Sequence, residues 1–181
     1  MKQVITFTVN QEEREIAVEP HRSLLDALRS EAGLTGTKKS CDVGECGSCT
    51  VIMNGKPVNS CLVLALEARG ADITTIEGIQ PSGEEVHPLQ ESFMQCGAAQ
   101  CGFCTPGFVV MAKALLDENP NPTIDEIRFA IAGNICRCTG YTKIIEAIAK
   151  TAGTYPSCTN GFAHKAPQPL REAVATALEK A

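Results

Sequence analysis

The sequence predicts an α+β chain of two small domains, a strand-rich N-terminal half followed by an all-α half. Three observations predict it. Residues 4–9 alternate, with Ile5, Phe7 and Val9 set against Val4, Thr6 and Thr8, which gives a strand one strongly apolar face. Residues 78–87 are rich in Gly, Pro, Ser and Glu, and beyond them the pattern changes from period two to helical. The ten cysteines include two four-cysteine sets, one in each half. The expected divisions are residues 1–77 for the first domain, 78–87 for a linker, 88–152 for the helical domain and 153–181 for a C-terminal tail.

The elements follow in order. Asn10-Gln11-Glu12 turns the first strand into a second over residues 15–18. Ser23 is an N-cap with Asp26 three residues on, a variant of the capping box. Leu24, Leu25 and Leu28 line the inner face of the helix it opens, and Gly33 stops it. A Gly- and Cys-rich loop leads to a hairpin whose Asn54-Gly55 pair favours a tight turn. Residues 71–76 form the last strand. In the second half, helices are expected over residues 88–96, 106–118, from Thr123 through Ile131, and 142–151. Pro106 suits an early helical position, Asn119-Pro120-Asn121-Pro122 ends that helix, and Thr123 with Glu126 caps the next. Four short helices make a compact bundle. The tail carries one further candidate helix over 170–178, with Leu170, Val174 and Leu178 on one face.

Composition excludes several function classes. The formal net charge is −5 and the longest basic run is Lys38-Lys39, which argues against nucleic acid as a partner. An acidic electron carrier docking on a protein fits this balance. No apolar run reaches the roughly 18 residues that span a bilayer, so no membrane is expected. Residues 1–3 lead straight into the first strand with no apolar leader, and the expected compartment is the cytoplasm. In a reducing compartment a Cys-rich protein holds metal more often than disulfides.

Cys41, Cys46, Cys49 and Cys61 have the spacing C-x4-C-x2-C followed by a lone fourth Cys, that of plant-type [2Fe–2S] proteins. Gly44 and Gly47 let the backbone fold tightly around inorganic sulfide. Inward N–H groups then hydrogen-bond an anionic cluster. Structural zinc usually takes paired C-x2-C knuckles, a poorer match to this set. Cys101 and Cys104 form a second group with Cys136 and Cys138, each pair just before an expected helix, where N–H groups stabilise anionic sulfur. A thioredoxin-like reading fails because no strand–helix alternation surrounds Cys101. Four thiolates at two helix ends make a cluster or a zinc site, and the first set favours a cluster.

Three segments together carry a resemblance: Cys41-Asp42-Val43-Gly44-Glu45-Cys46-Gly47-Ser48-Cys49, residues 100–107, and Gly133-Asn134-Ile135-Cys136-Arg137-Cys138-Thr139-Gly140-Tyr141. In this order they resemble the small iron–sulfur subunit of the xanthine oxidase family of molybdenum hydroxylases, over roughly residues 1–152. Ser48 stands where that family usually has Ala. The resemblance implies a ferredoxin-like β-grasp domain followed by a four-helix-bundle domain, each with a [2Fe–2S] cluster. It implies a large partner subunit holding a molybdopterin cofactor and a medium subunit holding FAD. Electrons would pass from molybdenum to the helical-domain cluster, then to the ferredoxin-like cluster, then to FAD or another acceptor. Gln100 matches a glutamine that hydrogen-bonds the pterin, and Cys138 matches the cluster ligand nearest to it. By family frequency the substrate of the complex is a purine or another N-heterocycle.

Other residues stay outside this scheme. Cys96 is expected as a small buried hydrophobe, and Cys158 has no assigned role. His21, His87 and His164 are expected as solvated side chains. Arg137 either tunes the second cluster or pairs with an acidic neighbour. Phe103 and Tyr141 are expected to pack over that cluster. Two competing readings are a free-standing two-cluster ferredoxin and a structural protein holding two zinc ions.

Overall fold

In the computed structural model, residues 1–80, 86–155 and 158 are described. Strand β1 (Gln3–Val9) pairs antiparallel with β2 (Glu12–Val18), in a register running from Gln3 opposite Val18 to Val9 opposite Glu12. Asn10 and Gln11 both take positive φ, 52° and 68°, the requirement of the two-residue turn that matches strand twist. Ile5, Phe7 and Val9 face inward and are buried, as the alternation predicts.

Helix α1 (Leu24–Asp26) continues as a π-helical turn over Ala27–Glu31. The Ser23 hydroxyl accepts the Asp26 N–H at 3.1 Å, and Leu24, Leu25 and Leu28 are fully buried. The next hairpin joins β3 (Thr50–Met53) to β4 (Lys56–Asn59) through Asn54 and Gly55, both at positive φ. Strand β5 (Asp72–Thr74) lies between β1 and β3, parallel to the first and antiparallel to the second. The five-stranded sheet has the order β2-β1-β5-β3-β4. Strand β2 begins earlier than expected and β5 is shorter. Short 3-10 helices at Ala65–Ala68, Ile76–Gly78 and Ile131–Gly133 carry no periodicity that sequence alone reveals.

The second half contains α2 (Pro88–Gln95), α3 (Thr105–Glu118), α4 (Ile124–Ala130) and α5 (Thr142–Thr151). They enclose a core that includes Leu89, Phe108, Ile127, Ile144 and Ile148. That core reaches back to Ile79, and Ile52 of β3 and Ile76 pack against it. The sheet and the helices therefore meet through apolar side chains, and the cysteine loops lie near this junction. Among the described residues no helix is long and apolar enough to cross a membrane. Of the tail, only residues 153–155 and Cys158 are described; the 170–178 helix and His164 fall outside.

Two minor expectations are corrected. Cys96 is buried, at 3 % exposure, but as one half of a disulfide with Cys158, whose Cα lies 5.3 Å away. A half-cystine is as small and apolar as the thiol expected there, so burial alone did not separate the two. His87 is the N-cap of α2, where its Nδ1 accepts the Leu89 N–H at 3.2 Å. Burial and the nearby Lys113 ammonium hold its imidazole below the ordinary pKa.

Candidate functional site

Each cysteine set is assembled from two segments that the fold brings together. Cys41, Cys46 and Cys49 lie on the loop before β3, and Cys61 follows β4, so the hairpin brings the fourth thiol back. Cys49 and Cys61 Sγ atoms are 3.4 Å apart. Cys41 is within hydrogen-bonding reach of Cys46, and the Val43 N–H approaches its sulfur at 3.5 Å. Backbone N–H groups of Val43 and Cys46 lower the Cys41 thiol to about 7. Burial and then the Cys49 neighbour push Cys61 up to about 12.

The second set is assembled from the loop before α3 and the loop before α5. Cys138 and Cys101 Sγ atoms are 3.6 Å apart, and Cys104 is paired with Cys136. Burial, reinforced by Cys136, pushes Cys104 up to about 12. Burial also opposes ionisation of Cys136, but the Thr139 hydroxyl at 3.2 Å and nearby N–H groups outweigh it and lower that thiol to about 7. The contact with Cys101 raises Cys138. The thiols meet two by two, Cys41 with Cys46, Cys49 with Cys61, Cys101 with Cys138 and Cys104 with Cys136. Mononuclear zinc takes four ligands around a single ion, whereas a binuclear cluster takes two cysteines at each iron. A bound cation relieves the thiol–thiol repulsion, since metal coordination deprotonates sulfur outright.

Cys101, Cys138 and Gln100 are all exposed, on one edge of the helical half. Gln100 makes no hydrogen bond to another described residue, so its amide is not consumed by local backbone. Phe103 is 45 % exposed rather than packed. Tyr141 is packed: its ring meets Phe108 edge-on at 6.1 Å, and its hydroxyl accepts the Cys136 N–H at 3.1 Å. Arg137 is exposed and forms no ion pair among the described residues.

The two sets touch. The Ile135 N–H donates to the Cys46 carbonyl at 2.9 Å, and Ile135 directly precedes Cys136. One hydrogen bond thus joins a thiol-bearing residue of the first set to the neighbour of one in the second. Beside it, Asn134 Nδ2 donates to the Gly47 carbonyl at 2.9 Å. A Cβ on Gly47 would lie 2.5 Å from Asn134 Nδ2 and from the Gly133 carbonyl. The space that this glycine leaves is filled by the opposite loop, and that at Gly44 by Leu62. Sequence reasoning gave both glycines to sulfide alone and missed Asn134, Thr139 and Gly107. All three lie inside the segments that carry the resemblance, but spacing alone assigns them no role.

Comparison with known proteins finds two domain families in succession along the chain. Residues 7–74 match the 2Fe-2S iron-sulfur cluster binding domain and residues 75–149 match the [2Fe-2S] binding domain. The chain is similar to the nicotinate dehydrogenase small FeS subunit of Eubacterium barkeri, at 51% identity over 147 residues, which is 81% of this chain and 93% of that one. It resembles quinoline 2-oxidoreductase from Pseudomonas putida 86, with a TM-score of 0.81 and 48% identity over 84% of this chain and 94% of that chain. It also resembles the aldehyde oxidoreductase of Desulfovibrio desulfuricans, with a TM-score of 0.80 and 46% identity over 83% of this chain but 17% of that one. Two [2Fe–2S] domains in series, with thiols in pairs and a hydrogen bond between their loops, make an electron conductor. The chain belongs to the small iron–sulfur subunits of the molybdenum hydroxylase family and is the electron-transfer subunit of an oxidoreductase.

Proposed function

We propose that the chain relays electrons from a molybdopterin centre on a large partner subunit, through its helical half and then its N-terminal half, towards FAD on a medium subunit or another acceptor. The observation that carries the direction is the exposed edge formed by Gln100, Cys101 and Cys138, set against the inward contact of Ile135 with Cys46. Cys41, Cys46, Cys49 and Cys61 hold the first cluster in this reading, and Cys101, Cys104, Cys136 and Cys138 the second. Each cluster, when bound, takes up and releases one electron. The protein's own share is to present donors, keep the thiols paired and fix the distance between the two loops. Gln100 directly precedes Cys101 and carries an exposed side-chain amide that donates and accepts at once, which suits a pterin edge. Exposed Phe103 and Ile135 near the second set, and Val43 and Leu62 near the first, suit burial against partner subunits.

The finer architecture belongs to the same reading: a β-grasp domain over residues 1–77 and a four-helix bundle over 88–152, in a cytoplasmic complex. The relatives named for nicotinate and quinoline support an N-heterocycle, purines among them, as the substrate. The test is Gln100→Ala in the native complex. Both clusters should assemble, and reduction of the helical-half cluster by substrate should slow; unchanged reduction would refute the role of Gln100. A chain that purifies alone, with no molybdenum-containing partner, would refute the complex.

A further inference from the structure

We propose that Asn134 is a positioning residue for electron transfer between the two centres, because it holds the Cys46 carbonyl against the Ile135 N–H. The inference rests on the cysteine assignment just proposed. Asn134 is 3 % exposed and spans 87 residues of sequence to reach the other loop. Its Nδ2 donates to the Gly47 carbonyl at 2.9 Å and approaches Thr50 Oγ1 at 3.4 Å. That carbonyl also accepts from the Thr50 amide at 3.1 Å and the Thr50 hydroxyl at 2.7 Å, which fixes its direction. On its own side, the Asn134 carbonyl accepts the Tyr141 hydroxyl at 3.4 Å, and the same hydroxyl receives the Cys136 N–H. Asn134 therefore faces the first loop with its side chain and the second with its backbone. The peptide that follows it supplies the Ile135 N–H.

The chemistry of the seam needs an uncharged donor. A carboxylate there would set acceptor against acceptor in a buried place, and an apolar side chain would remove one of the bonds that orient the Gly47 carbonyl. Gly107, at the start of α3, closes the other side: a Cβ there would run into the Gly47 carbonyl and lie 3.2 Å from Asn134 Nδ2. Two independent features, a donor on one side and a missing side chain on the other, hold one peptide of the first loop in place.

The experiment uses the intact complex with Asn134→Asp and, separately, Gly107→Ala. Iron and sulfide are counted, and the magnetic interaction between the two reduced clusters is read by electron paramagnetic resonance. The rate of electron redistribution between them is followed after flash reduction. In Asn134→Asp both clusters should form, the magnetic splitting should change, and redistribution should slow roughly tenfold or more, the scale on which ångström displacements of reacting partners act. A splitting and a rate equal to those of the unaltered complex would overturn the proposal, whatever the melting temperature does. Should Asn134→Asp fail to assemble, Gly107→Ala decides: the same two changes support the seam and their absence overturns it. If the unaltered complex lacks two [2Fe–2S] signals, the cysteine assignment falls first, and the two failures are distinguishable.

Discussion

Gly47 has a φ of +65° and opposes Asn134 and the Gly133 carbonyl across the seam. Its replacement by Ala combines an unfavourable backbone conformation with a steric conflict against a neighbouring backbone. We expect Gly47→Ala to lower stability by about 1–3 kcal/mol, the cost of a residue held in such a region, as measured by thermal unfolding. An unchanged melting temperature would contradict the packing described. Cys61→Ser should halve the iron and sulfide content and leave the signal of the other cluster, since each set is complete in its own loops. Loss of both signals would show that the clusters are not independent. The eight cysteines proposed as ligands stand out in the sequence because their spacings are local, or because the surrounding segments resemble a family. Asn134 does not, because its partner lies on a loop far away in sequence, and an Asn beside a glycine reads equally well as a turn.

Caps are the features that sequence and structure agree on most closely, for a physical reason: a cap bonds residues three positions apart. Ser23→Ala should remove the bond to the Asp26 amide and cost on the order of 1 kcal/mol in denaturant titration. At the start of α4 the Thr123 amide and hydroxyl bond the Glu126 carboxylate at 2.6 and 2.8 Å and hold it below its ordinary pKa. A carboxylate lowered in the folded state contributes stability that is fully present above the ordinary glutamate value of 4.5 and is lost as the pH falls through the lowered value. Thr123→Pro would remove the amide as well as the hydroxyl, and the difference in stability from the unaltered protein should shrink below that pH; a constant difference would count against these hydrogen bonds as the cause. Strand β5 was less legible. Its place between β1 and β3 depends on pairing with residues 8–9 and 52–53, which no local pattern encodes. The 3-10 turns were invisible for the same reason.

At the scale of the molecule, the disulfide between Cys96 and Cys158 ties the last described residue of the tail to the helix before Gln100. It spans 62 positions of sequence. Breaking a bridge of this kind costs about 2–4 kcal/mol, so Cys158→Ser should lower stability by that much under oxidising conditions and by nothing in a thiol reductant. The bridge also tests the proposed compartment, since reducing cytoplasm keeps thiols free. Alkylation of the native protein before and after reduction, read by mass spectrometry, should find Cys96 and Cys158 protected until the reductant is added; free thiols in the native protein would contradict the bridge. The apolar packing of Ile52 and Ile76 against the helical core has a different consequence. With the two halves bonded to each other internally, the spacing of the electron carriers does not depend on what lies beyond either end of the unit. Such a unit is portable: the same arrangement serves as nearly a whole chain in one relative and as a segment of a much longer polypeptide in another. Gene fusion and fission would change its connections without retuning its interior.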